Sequence, residues 1–364
     1  MNKIKISDYQ LMIFTSGFVF GTSPLILASS IAEYAKQDAW ISVIAAALIG
    51  LLFVWLNSFL GGLYPDKTYI EIIQLLFGRW IGGFFSLNLI LLSVIAAAQV
   101  TWYVGDFFKT QYLTGTPFYA INILFFIGII IALLYGVETT FRAVEVFFAF
   151  AFPLYMISMI LVLPNAHIEN LFPIMEKGIY PILNGTLPLL SIDIWPLILL
   201  NMVYPVNVND VKKAKKAIFK GYFLGIFTVF VSVFVCILIL GGNITAAARF
   251  PVFLATKEIN IGMILTRLEA IIAFVWLITN FISVFTYSYA GTIGLSQLLK
   301  LKDYRKIVLP LGLVIAVFSG FAYTNVPYEL SWDTYVWPPY ILTFGVLPPV
   351  ILLIITGIRK LLAK

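Results

Sequence analysis

The stretch Pro188-Leu-Leu-Ser191-Ile-Asp193-Ile-Trp195-Pro196 sets one carboxylate in the middle of an apolar segment. A charge at that depth is costly, so Asp193 is a functional residue by default. Three chemistries are open to it: holding a ligand ammonium, exchanging a proton, or capping the second half of its own helix beside Pro196. A second stretch, Ser16-Gly-Phe-Val-Phe-Gly21-Thr22-Ser23-Pro24, gathers helix breakers and hydroxyls within another apolar segment. A half-helix starting at Pro24 offers free N–H groups and a positive dipole end to an anion such as a carboxylate. Ser283 and Tyr287, four residues apart, put two hydroxyls on one helix face, and Gln99 and Tyr103 pair an amide with a hydroxyl in the same way. The small run Ala96-Ala97-Ala98 leaves room for a pocket floor or a close helix approach. Taken singly, such groups are interhelical glue worth about 0.6 kcal/mol each. Together with the breakers they mark one region. Arg267 and Glu269 point to different helix faces, so each is expected to form a structural ion pair with another helix or loop.

The elements that position these groups follow from composition. Of 364 residues, 61% are hydrophobic and 11% charged, with a mean hydropathy of +1.00. Soluble proteins carry about 25% charged residues. The excess apolar surface must face lipid. The net charge of +6 comes from basic residues in short loops beside apolar segments, which is membrane topology rather than nucleic-acid binding. The lone Cys236 excludes an internal disulfide, and no Cys/His spacing suggests a metal site. No phosphate-binding glycine loop or nucleophile–histidine pair is present, so neither an enzyme nor a cofactor is expected. The first apolar stretch runs on through Pro24 without a small-residue cleavage site, unlike a cleaved signal peptide.

At about 20 apolar residues per crossing, ten spans are predicted. The first five lie near 9–32, 40–60, 80–106, 118–137 and 143–163, and the second five near 186–205, 217–240, 263–297, 307–323 and 337–358. With both termini cytoplasmic, that side holds Lys3, Lys5, Lys67, Arg79, Arg142, the lysines between 212 and 220, the basic residues between 300 and 306, and Arg359, Lys360 and Lys364. Only Lys36, Lys109, Lys177, Arg249, Lys257 and Arg267 fall outside, in accord with the positive-inside rule. Thr68-Tyr-Ile-Glu71 has the form of a capping box opening a short interfacial helix over 68–78. Residues 169–185 read as a helix lying on the outer surface. Tryptophans near span ends (Trp40, Trp80, Trp332 and Trp337) suit interfacial anchoring.

The breakers fall in the first span of each set of five. That is the pointer to a five-plus-five inverted repeat, about 8–163 and 186–358 within a single transmembrane domain, with a site at the midplane between discontinuous helices 1 and 6. Unwound backbone is tolerated in hydrocarbon only where it lines a cavity or is buried in protein.

The order of spans resembles the endospore germination permeases, the B subunits of nutrient germinant receptors. The same holds for the Gly21-Thr-Ser break, Gly78-Arg-Trp-Ile-Gly82, and Arg267-Leu-Glu269…Val275-Trp-Leu277…Tyr287-Ser-Tyr289. The likeness covers about residues 5–360 and implies the LeuT-like fold of the amino acid–polyamine–organocation superfamily. It implies a spore inner-membrane receptor that binds a nutrient, an amino acid or another small germinant, and signals to A and C partner subunits. The superfamily pattern implies ligand-carboxylate contacts at Gly21, Thr22 and Ser23. It implies ammonium and side-chain contacts at Ser191, Asp193, Ile194 and Trp195, with Ala96, Gln99, Val100, Ser283 and Tyr287 closing the pocket. The chain departs from that pattern where Ser23-Pro24 replaces a second glycine. A proton-coupled amino-acid transporter of the same fold, with Asp193 or Glu269 carrying the proton, is the alternative expectation.

Overall fold

The computed structural model describes residues 6–257 and 269–362. Among them the chain is all helical, apart from one isolated bridge between Ile6 and Val208. Among the described residues, eight helical segments are long and apolar enough to cross a membrane. The first, Asp8–Leu63, is two crossings. Gly225 lies against Val19, while Trp40 stacks edge-on with Phe234 and Gly50 faces Tyr222, so residues 8–35 and 39–63 run in opposite directions along the same partner helix. The reversal falls at Lys36–Asp38, a turn entered with Lys36 at φ +49°. Adding the 15-residue helix Arg305–Ser319 completes the ten predicted spans.

Spans 1 and 2 are Asp8–Ala35 and Ala39–Leu63, followed by Tyr69–Gln111, Phe118–Tyr135, Val137–Val162 and Tyr180–Met202 as spans 3 to 6. Spans 7 to 10 are Val211–Ala247, Glu269–Leu298, Arg305–Ser319 and Val326–Leu362. Span 1 seats itself on span 7 because glycines let the backbones meet: a Cβ added to Gly225 would lie 2.6 Å from the Cβ of Val19. One end of the bundle gathers both chain ends. Ile6 donates to Asn207 at 2.8 Å, the Tyr64 and Thr356 hydroxyls meet at 2.9 Å, and Arg359 reaches the Leu76 carbonyl at 3.3 Å.

The capping box at Thr68 forms in both directions, with Thr68 N–H donating to Glu71 at 2.7 Å and Glu71 N–H to the Thr68 hydroxyl at 3.4 Å. Its helix joins span 3 through a kink at Gly78, whose φ of +78° glycine tolerates. The region 169–185 is not one surface helix. Asn170 binds the Leu238 carbonyl, the amide of Met175 binds Asp38, and a helix resumes only at Tyr180. Pro173 and Gly178 interrupt it. Span 10 begins at Val326, eleven residues before the predicted start at 337, because the Asn325 side chain caps it by accepting from Tyr328 at 2.9 Å.

Wide π turns recur at prolines: Ser23–Leu27 contains Pro24, Leu190–Ile194 precedes Pro196, Trp332–Val336 precedes Pro338, and Leu342–Val346 precedes Pro348. Proline cannot donate to the carbonyl four residues back and clashes with it, and a widened turn relieves both faults.

Candidate functional site

Span 1 stays α-helical to Phe20 and breaks at Gly21, with φ +30° and ψ −118°. The break frees carbonyls that span 8 takes up. Thr279 Oγ1 donates to the Gly21 carbonyl at 2.8 Å, and the Trp276 indole to the Thr22 carbonyl at 3.3 Å. On the donor side, the Asp193 carboxylate accepts from the Ser23 hydroxyl at 2.5 Å, from the Thr22 hydroxyl at 3.4 Å and from the Thr22 amide. Buried backbone in a membrane must be satisfied by protein, and here spans 6 and 8 supply the partners. Asp193 therefore caps the break of span 1 rather than the second half of its own helix.

Span 6 passes from a π turn at Leu190–Ile194 into a 3₁₀ helix at Trp195–Met202. The Ser191 hydroxyl turns back to the Pro188 carbonyl at 3.3 Å, and the Ser191 carbonyl accepts from the Trp337 indole at 2.9 Å. Trp337 is thus a buried strut between spans 6 and 10, not an interfacial anchor.

Beside this junction lies a small cavity of about 20 Å³. That is room for about one water molecule. Span 3 contributes Ala96, Gln99, Val100 and Tyr103, span 6 Ile192, span 8 Tyr287, and span 10 Asp333 and Trp337. Four predicted site residues, Ala96, Gln99, Val100 and Tyr287, meet here. Gly21, Thr22, Ser23, Asp193 and Ser283 gather at the adjoining break, where the Ser283 hydroxyl would lie 3.2 Å from a Cβ on Gly21. Ile194 and Trp195 do not line the cavity. The Ile194 side chain packs instead against Gly50 of span 2. Arg267 lies outside the described residues, and Glu269 opens the helix of span 8.

Two polar groups in the cavity wall are unspent. Gln99 is 6% and Tyr287 3% exposed, and neither side chain has a hydrogen-bond partner among the described residues. Asp333 completes the polar lining: the hydroxyls of Tyr103 and Tyr323 both donate to it, the latter at 2.8 Å. One turn outward, Arg249 joins Glu329 at 2.7 Å and Asp106 at 3.0 Å. Glu329 is fully buried. Arg249 stands in the loop after span 7; burial works against its charge, but the two carboxylates outweigh it and raise its pKa above the ordinary value.

Asp333, Glu329 and Arg249 were not expected from the sequence. Polar residues at 324–334 lower hydropathy enough to disguise the start of span 10 as a loop. The signal available was Asn325-Val-Pro327-Tyr-Glu329, an N-cap with proline and acid in the first turn. Trp276 and Thr279 were visible as neighbours of Ser283 at helical spacing, but not as partners of the break.

The arrangement has clear relatives. The profile of the spore permease family, described as spore germination protein, matches residues 5–325. Spore germination protein KB of Bacillus subtilis (strain 168) is 30% identical over 364 residues, covering 99% of this chain and 96% of that protein. Spore germination protein YndE of the same organism is 26% identical, covering 98% and 97%. Among solved structures, MhsT in complex with L-phenylalanine superposes with a TM-score of 0.69 at 12% identity, covering 98% and 99% of the two chains. MHP1, a nucleobase-cation-symport-1 family transporter, superposes with a TM-score of 0.68 at 11% identity, covering 95% and 79%. The fold is that of LeuT-type transporters, and the chain is a non-enzymatic integral membrane protein belonging to the spore permease family of germination proteins.

Proposed function

We propose that the chain is the nutrient-sensing membrane subunit of a spore germinant receptor, taking a small ligand, an amino acid, into the cavity between spans 3, 6, 8 and 10. The observation that carries this reading is the pair of buried polar groups, Gln99 and Tyr287, that face one cavity and have no hydrogen-bond partner among the described residues. An unpaired donor or acceptor costs about 1–3 kcal/mol, and these two face a cavity where a ligand can complete them. The setting we infer is the spore inner membrane, with A and C subunits as signalling partners, by likeness to the family, and both termini cytoplasmic, from the loop charges. On this reading the chain is a single transmembrane domain of two repeats, about 8–163 and about 186–358, and both contribute to the cavity lining.

A cavity with room for one water cannot take an amino acid without movement of its walls. Ligand binding therefore displaces span 10 or the outer half of span 1 against the rest of the bundle, and that displacement is the signal passed to the partners. A second reading, proton-coupled amino-acid transport, draws on the position of Asp193 at the joint of both breaks. Thermal unfolding of the purified protein with amino acids, sugars and nucleosides tests the first reading. Stabilisation by one of them, removed by Tyr287→Phe, supports it; no stabilisation by any sinks it. Uptake of that compound into vesicles driven by a proton gradient, and abolished by Asp193→Asn, establishes transport instead.

A further inference from the structure

We propose that Asp333 of span 10, not Asp193, is the residue that receives a positively charged amino group of the ligand. The inference rests on the reading of the cavity as a ligand site and names the chemistry it selects. Asp193 is already committed: both of its oxygens are taken by hydroxyls of span 1, and the Thr22 amide joins them. An aspartate so engaged holds the break together, and it does not line the cavity.

Asp333 stands differently. Its oxygens also accept from two hydroxyls, those of Tyr103 and Tyr323, and like Asp193 it forms no ion pair among the described residues, but it alone of the two lines the cavity. The nearby guanidinium of Arg249 is spent on Glu329 and Asp106. A carboxylate in a membrane interior without a counter-ion gains strongly from a cation brought to it. Aromatic residues stand beside it: Trp337, Tyr103 and Tyr287 line the same cavity. Gln99 and Tyr287 then remain to bind the polar remainder of the molecule.

Position supports the same assignment. A second space of about 40 Å³ lies between the outer part of span 1, the start of span 6 and span 10, at Tyr34, Pro188 and Thr334. Asp333 and Ile192 line both spaces. A ligand passing from the cleft to the cavity meets Asp333 on the way, and the carboxylate can keep the ammonium as Ile192 closes behind it.

The test is thermal stabilisation of the full-length protein by matched pairs that differ only at the amine: L-alanine with L-lactate, L-leucine with 2-hydroxyisocaproate, and L-phenylalanine with L-phenyllactate. Glucose and inosine serve as neutral probes. One amino acid is expected to bind about thirtyfold or more tightly than its hydroxy acid, and Asp333→Asn to remove that preference. The ligand pairs are compared in the unmodified protein, so the result survives even if Asp333→Asn fails to fold. Equal binding of an amino acid and its hydroxy acid overturns the assignment of Asp333. So does binding of glucose or inosine alone, and in either case the cavity stands as a ligand site if Tyr287→Phe weakens that binding. Absence of stabilisation by every probe overturns both readings.

Discussion

Ser23 donates a 2.5 Å hydrogen bond to the Asp193 carboxylate, tying the interrupted stretch of span 1 to that of span 6. The two breaks are thereby one structural unit, with span 8 holding the opposite side through Thr279 and Trp276. Removing the carboxylate strands the Thr22 amide and two hydroxyls in a buried place. Asp193→Ala should lower stability in detergent by about 3 kcal/mol, and Ser23→Ala by about 1 kcal/mol, read from thermal or denaturant unfolding. Equal stability of Asp193→Ala and the parent would show that the joint carries no energy.

Gly21 permits the backbone path of the break. At φ +30° a side chain is strained, and its Cβ would meet the Phe18 carbonyl at 2.7 Å and the Asp193 carboxylate at 2.8 Å. Gly21→Ala should cost about 1–3 kcal/mol and disturb the Asp193 joint. A fully stable Gly21→Ala protein would mean that the break relaxes freely around a methyl group.

Arg249 serves a carboxylate that has no exposure of its own. Arg249→Met leaves Glu329 buried beside Asp106 with its cation gone, and should destabilise by about 3 kcal/mol. Adding Glu329→Gln to that variant should restore part of the loss. A double-mutant cycle with no coupling between the two positions would contradict the pairing seen at 2.7 Å.

Tyr287→Phe and Gln99→Leu should separate stability from function. Each removes a buried polar group that has no hydrogen-bond partner among the described residues, so the ligand-free protein should be as stable as the parent or more stable by about 1 kcal/mol. Ligand-dependent stabilisation should fall in both. Loss of stability without ligand would instead mark these groups as structural.

At the lysine-rich start of span 7, Asp210 accepts from the amides of Lys213 and Lys212 and caps the helix. These hydrogen bonds, that of Lys213 first, hold its pKa below the usual value. A depressed carboxylate pKa stabilises the folded form above the unfolded pKa, and that contribution is lost as pH falls through the folded value. Protection of the Lys212 and Lys213 amides, relative to their intrinsic exchange rates, should persist in mild acid, fall once pH drops below the ordinary aspartate range, and be lower at neutral pH in Asp210→Ala. Exchange that is indifferent to both would argue against the cap.

Much of this was legible along the chain. Ten crossings follow from hydropathy and loop charge, because water-free hydrocarbon admits little else than helix. The breaks at Gly21 and around Asp193 announce themselves through Gly, Pro and hydroxyl residues in segments that should have none. Gln99 and Tyr287 follow from helical spacing, which says which residues share a face.

Spacing is silent on which neighbour that face meets. Only packing put Asp193 against span 1 rather than into the cavity, turned Ile194 toward Gly50, and made Trp337 a strut between spans 6 and 10. Span 10 shows the same limit: Glu329 and Asp333 look like loop residues by hydropathy, since their cost in a membrane is written as if they stood alone. Arg249 and Tyr103, distant in sequence, and Tyr323, ten residues before Asp333, supply the partners that let those acids sit inside a helix bundle, and the distant ones exist only once the chain has folded.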